Sequence, residues 1–218
     1  MKKPSFLKKN GLSISLLVMF LIFWAGQALT GWQVYNNELA EENVSSLAFW
    51  GYLQSGHFVS ATFENWESEF LQMFVFVVFS IFLFQAGSPE SKEMEGEEPT
   101  DKVPNRKKSP HWMVQKGGIF LWIFSNSLSI VLFLFFLVSL AAHSVGSYRH
   151  HSKEEMLKNQ QPDDYWEYIS GSDFWFESFQ NWQSEFLAVF VIVYFTVFLR
   201  QQGSPQSKRV DALNAEHE

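Results

Sequence analysis

The chain has 218 residues, no cysteine, a formal net charge of −7, and 24 Phe and 9 Trp. The missing thiols exclude disulfides, Cys-ligated zinc or iron–sulfur sites and thiol chemistry. An acidic chain without basic patches interleaved with aromatics is not expected to bind nucleic acid. The aromatics concentrate in four nearly charge-free blocks instead of following the amphipathic spacing of a globular core. This predicts an all-α polytopic membrane protein with four transmembrane helices solvated by the lipid bilayer.

The first block runs from about Leu12 to Leu29, behind Lys2, Lys3, Lys8 and Lys9. Gly26-Gln27-Ala28 has the look of a signal-peptidase site. Because the segment matches an internal hydrophobic block described below, it is expected to remain as a span. Gln27 sits between Gly26 and Thr30, and its counterpart His143 between Ala142 and Gly146. Small residues at that spacing permit close helix approach. A His there is able to titrate or bind metal, although a His whose counterpart is Gln reads first as a hydrogen-bonding packing residue.

Phe49, Trp50, Tyr52 and Phe58 follow, and Tyr165, Trp166, Tyr168 and Phe174 match them in the other outer loop. Short interfacial segments lying in the headgroup region suit this pattern. The second block, Phe70 to Phe84, is too short for the roughly 20 residues a span needs, so it must begin near Trp66. That places Glu69 in the outer interface. On a helix Asn65, Glu69, Gln72, Phe76 and Ser80 share one face, repeated as Asn181, Glu185, Ala188, Ile192 and Thr196. A polar stripe within an apolar span is expected to turn inward, which makes Glu69 and Glu185 candidates for proton or cation handling. An acid in the first turn is explained first, without any transport, by the helix macrodipole and by capping of free N–H groups.

Gly87-Ser88-Pro89 and Gly203-Ser204-Pro205 are expected to end the second helix of each unit, as Gly suits a C-cap and Pro cannot continue a helix. Residues 93–117 combine an acidic run, prolines and the basic cluster Arg106, Lys107 and Lys108, the composition of a disordered cytoplasmic linker. The third block is Ile119 to Ala142. The fourth, Phe186 to Leu199, is expected to start near Trp182. His150 and His151, with Glu154 a turn further on, have the spacing of a weak metal site but read as an exposed polar loop. No metal and no cofactor are expected.

Adding 116 to residues 10–92 gives residues 126–208 without a gap, and 32 of the pairs are identical. FENWESEFL (63–71) pairs with FQNWQSEFL (179–187), and QAGSPESK (85–92) with QQGSPQSK (201–208). The predicted organisation is therefore a first two-helix repeat (1–92), the linker (93–117) and a second repeat with a C-terminal tail (118–218). An even number of spans per unit makes the repeats parallel. Thirteen of the sixteen Lys and Arg fall on the side of the termini and linker, which places both termini in the cytoplasm. The same topology leaves the outer face at about −11, a surface that attracts cations.

The doubled N-W-[EQ]-S-E-F-L followed by Q-x-G-S-P-[EQ]-S-K, with GWQVYN at Gly31 to Asn36 and SGHF at Ser55 to Phe58, resembles an uncharacterised bacterial integral-membrane family classed as a domain of unknown function. The resemblance covers nearly the whole chain and implies a bacterial inner-membrane location. The second copy departs from it where Tyr148 to His151 stand in place of Trp32 to Tyr35. No Walker loop, GxSxG elbow, HExxH helix or dinucleotide fingerprint is present, so an enzyme is not expected. The expected role is a four-helix bundle acting as a structural subunit or one that binds a protein partner or a second copy of itself. The alternative is a small cation or proton channel or carrier using Glu69 and Glu185.

Overall fold

A computed structural model describes residues 5–94, 96 and 98–212. Lys2 and Lys3 of the inner charge set lie outside the described residues. Among the described residues the chain is all-helical, without strands: α1 (Phe6–Glu41), α2 (Phe49–Tyr52), α3 (Gly56–Phe79), α4 (Trp112–Lys116), α5 (Gly118–Ser125), α6 (Ser127–Leu157), α7 (Tyr165–Ser170) and α8 (Ser172–Phe195). Two of these, α1 and α6, are long and apolar enough to cross a membrane.

α1 starts where Ser5 accepts a hydrogen bond from Lys8 N, a side-chain N-cap that satisfies one of the free N–H groups. Its 36 residues rise about 54 Å, well beyond the roughly 30 Å of a bilayer core. The two parts of the helix differ in surroundings. Leu16, Leu17, Val18, Met19, Phe20, Leu21, Ile22 and Phe23 are exposed, whereas its buried residues, Ala28, Tyr35 and Leu39, all lie further along. A continuous uncovered apolar surface of this kind suits burial against lipid or another apolar surface.

The long helices α1 and α6 stop in the same way. Asn43 and Asn159 take left-handed φ of 58° and 56°. The next N–H, of Val44 or Gln160, reaches back to Leu39 O (2.8 Å) or Glu155 O (2.9 Å). These are Schellman ends built on Asn, which tolerates this conformation better than other non-glycine residues.

α3 and α8 end at Phe79 and Phe195, short of the Gly-Ser-Pro sequences expected to stop them. At each end a hydroxyl bonds back into the preceding turn. Ser80 Oγ donates to Val77 O (3.0 Å) and Thr196 Oγ1 to Ile192 O (2.7 Å), so the side chains compete with the helical ladder. Gly87 (φ 82°) and Gly203 (φ 86°) instead supply positive φ in turns closed by Ser88 N→Gln85 O and Ser204 N→Gln201 O. Ser91 Oγ and Ser207 Oγ accept from Gln85 N and Gln201 N, both at 2.8 Å.

The predicted third span is broken between α5 and α6. Asn126 Nδ2 donates to Trp122 O at 2.8 Å there. Lys92, the last residue of the first repeat, pairs with Asp101 of the linker, and within the linker Arg106 donates to Gln115 O (3.2 Å) and Lys116 O (2.8 Å), the free carbonyls at the end of α4.

The chain forms two compact units, Met1–Thr62 with Ala142–Ile169 and Phe63–Ala141 with Ser170–Glu218. Tyr35, Leu39, Tyr52 and Phe58 are the core of the first, with Ala28 buried beside them and Trp24 and Trp32 packed on top. Two glycines set its closest crossing. A Cβ on Gly56 would lie 2.5 Å from His150 N, and one on Gly146 2.6 Å from Ser60 N. Of the two small-residue pairs, Ala142/Gly146 therefore supports close approach through Gly146, whereas nothing lies within 4 Å of a Cβ on Gly26. In the second unit Phe70 packs on Phe135 (5.1 Å between centroids) and Phe74 on Phe133 (5.0 Å), with Leu132 and Phe136 buried.

Candidate functional site

In the second unit the side chains that converge are neighbours of the predicted ones. Glu67, Ser68 and Ser178 are buried, while Asn65 and Glu69 are exposed and Gln72, Ser80, Glu185 and Thr196 half-buried. Trp182 Nε1 donates to Glu67 Oε1 at 2.8 Å, and Asn181 Nδ2 donates to Glu64 Oε1 and to Glu177 O (3.3 Å). Asn181 is thus the predicted residue drawn into this layer. Its α3 counterpart Asn65 contributes its carbonyl, which accepts from Ser68 Oγ at 2.8 Å. Glu69 lies close enough for its charge to act on Glu185. Ser88 Oγ and Thr196 Oγ1 are hydrogen-bonded at 3.1 Å near the ends of these helices.

A clue to Glu64 and Glu67 lay in the repeat. At the equivalent positions the second copy carries Gln180 and Gln183, both exposed. The copies differ in charge where only one of them is packed.

In the first unit His143 is fully buried and Gln27 half-buried. A second cluster there was not anticipated as a group. His57 stacks on Tyr35 (5.0 Å, 25°) and meets His150 edge-on at 5.1 Å. Tyr52 OH and His57 Nδ1 are 3.2 Å apart, and Lys153 Nζ donates to Tyr35 OH at 2.7 Å. Burial, and then the neighbouring His150, push the His57 pKa down to about 4, against an opposing pull from Glu154. Burial and then the Glu38 charge push the Tyr52 phenol up to about 12. At neutral pH both groups are therefore uncharged, and Tyr52 is the natural donor to His57 Nδ1.

Beside the cluster opens a cavity of about 220 Å³, lined among others by Tyr35, Glu38, Glu42, His150, Lys153 and Glu154. Carboxylates outnumber ammonium groups on its wall, so it suits a ligand group that carries positive charge or donates hydrogen bonds. Gly31 is needed for this arrangement, because a Cβ there would collide with the Tyr52 hydroxyl.

The GWQVYN segment has a structural task. Trp32 Nε1 and Asn36 Nδ2 donate to Leu47 O (2.7 and 3.1 Å), and Asn36 Oδ1 accepts from Leu47 N (2.7 Å). In the second copy Tyr148, the counterpart of Trp32, donates to the carbonyl of Asp163, the counterpart of Leu47 (3.2 Å). The altered sequence keeps one tie by other means.

No curated protein matches the chain. No solved structure matches it either. The sequence profile described as "Domain of unknown function (DUF6766)" matches residues 3–218, and the chain belongs to that family.

Proposed function

We propose that this chain is a four-span bacterial inner-membrane protein with both termini in the cytoplasm. Its parallel two-helix repeats, 1–92 and 118–218 joined by the linker 93–117, form a four-helix bundle. It acts as a non-enzymatic structural or partner-binding subunit, the partner being another protein or a second copy. α1 and α6 have the length and apolar surface of spans. The apolar runs of α3 and α8 begin after Glu69 and Glu185 and continue past the helix ends at Phe79 and Phe195 to Phe84 and Leu199, and spans entered near Trp66 and Trp182 use them. The matching Asn ends of α1 and α6 and the matching Gly-Ser-Pro turns support a duplicated hairpin.

One observation carries the structural reading over transport. Along α3 below Glu67 and Glu69 the packing is aromatic, Phe70 on Phe135 and Phe74 on Phe133. The hydroxyls of Ser80 and Thr196, needed to line a polar path, are directed at backbone carbonyls. The alternative, a cation or proton channel or carrier, is favoured by two carboxylates, Glu69 and Glu185, at equivalent positions of the two repeats.

Liposome reconstitution separates the two. No cation or proton flux above protein-free vesicles is expected, together with recovery of a stoichiometric partner or a homo-oligomer from native membranes in mild detergent. A flux abolished by the double substitution Glu69→Gln/Glu185→Gln, in a variant that still assembles, refutes the structural reading. Topology is accessible to single-cysteine labelling without background, since the chain has no cysteine. Labels in the linker and at residue 45 are expected to react from opposite sides.

A further inference from the structure

We propose that His151, Glu155 and Asp163 form a binding site for a divalent transition-metal ion of the zinc class. His151 and Glu155 are one turn apart on α6, and Asp163 comes from the segment ahead of α7. One ligand atom from each lies within 4.8 Å of the others. His151 Nε2 stands 3.6 Å from Glu155 Oε1 and 3.6 Å from Asp163 Oδ2.

Those separations are too long for hydrogen bonds. They are near the spacing of two ligand atoms on one ion, because bonds of about 2.0–2.2 Å at a tetrahedral angle put the atoms about 3.3–3.6 Å apart. The Nε2 atom is shielded from solvent and has no hydrogen-bond partner. A shared cation satisfies the imidazole and both carboxylates at once. One imidazole and two carboxylates suit zinc or a similar borderline ion, leaving further coordination to water.

The ligands are held in place from outside. The His151 ring stacks on Tyr168 at 4.7 Å and 28°, and the Tyr168 hydroxyl is itself bonded to Ser147 Oγ at 2.5 Å. Asp163 is tied by its N–H to Glu155 Oε2 (3.2 Å) and by its carbonyl to Tyr148 OH (3.2 Å). Glu155 thus fixes the loop with one oxygen and offers the other to the ion, the kind of outer support that orients metal ligands.

The neighbouring His150 is not part of this set. It meets Glu154 at 3.5 Å and packs against Tyr35 and His57. The first repeat has Tyr35, Leu39 and Leu47 at the equivalent positions, so the site exists once per chain.

The test is calorimetric titration of the purified full chain in detergent with Zn²⁺, and with Co²⁺ followed by its visible d–d absorption. One ion per chain is expected. His151→Ala should abolish saturable binding and the Co²⁺ bands, Glu155→Gln and Asp163→Asn should each weaken binding at least about tenfold, and His150→Ala should retain it. The near-isosteric Glu155→Gln and Asp163→Asn keep the test valid if His151→Ala does not fold. Absence of saturable binding by the folded wild type, affinity unchanged in Glu155→Gln and Asp163→Asn, or loss in His150→Ala with retention in His151→Ala overturns the proposal.

Discussion

Trp182 donates its indole N–H to the carboxylate of Glu67 at 2.8 Å, and Glu67 has no solvent-exposed surface. A buried acceptor deprived of a donor is left with part of its desolvation cost uncompensated. Trp182→Phe should therefore destabilise the protein by about 1–3 kcal/mol. Glu67→Gln, which keeps an acceptor oxygen and mimics Gln183 of the other repeat, should cost less. Unfolding in mixed micelles against a denaturing detergent reads both, and equal stability of Trp182→Phe and wild type contradicts the assignment.

The crossing of α3 with α6 in the first unit depends on two hydrogen atoms in place of methyl groups. Gly56→Ala places a carbon 2.5 Å from His150 N, and Gly146→Ala one 2.6 Å from Ser60 N. Backbone atoms cannot rotate away, so each change should cost about 1–3 kcal/mol. The double variant should cost less than the sum, since one displacement relieves both clashes. Gly26→Ala, with nothing within 4 Å, serves as the control and should be neutral or slightly stabilising.

His57 makes stability sensitive to acid. Its folded pKa of about 4 lies below the ordinary value of 6.5, so between these limits the unfolded chain binds a proton that the folded chain does not. The contribution is fully present above pH 6.5 and is lost as pH falls toward 4. His57→Asn should flatten the midpoint temperature between pH 6.5 and 4 relative to wild type; a slope that is unchanged removes His57 as its source.

The clamp on Leu47 provides another check. Trp32→Phe removes one donor to Leu47 O, and Asn36→Ala removes both a donor and the acceptor for Leu47 N. Losses of about 1 kcal/mol and about 1–2 kcal/mol are expected. Amide hydrogen exchange at Leu47 should accelerate most in Asn36→Ala, because its N–H then lacks the side-chain oxygen it uses.

Much of the local structure was legible in the residues. The apolar blocks anticipated α1 and α6, and the short aromatic segments around Trp50 and Trp166 anticipated α2 and α7, in which Tyr52 and Tyr168 are buried while both Trp side chains are exposed. The ends of α3 and α8 were not legible, since Gly87 and Gly203 are stronger stop signals than Ser80 and Thr196. Which face of α3 is covered was not legible either. Helical spacing assigns Asn65 and Glu69 to one face and Glu64, Glu67 and Ser68 to an adjacent one, but only the positions of Trp182 and Asn181 decide which is covered.

The sequence by itself determined that the chain is helical, that it carries four apolar, aromatic-rich blocks, and that its halves are related by a shift of 116 residues. Those properties follow from hydropathy, length and identity, which are additive along the chain. Only the tertiary structure decided that Glu67 is buried against an indole, that Tyr35, His57 and His150 meet, and that His151 faces Glu155 and Asp163. Each of these joins residues from different elements, and in the first unit the approach of α3 to α6 at Gly56 and Gly146 involves partners, His150 and Ser60, that the spacing of small residues does not name.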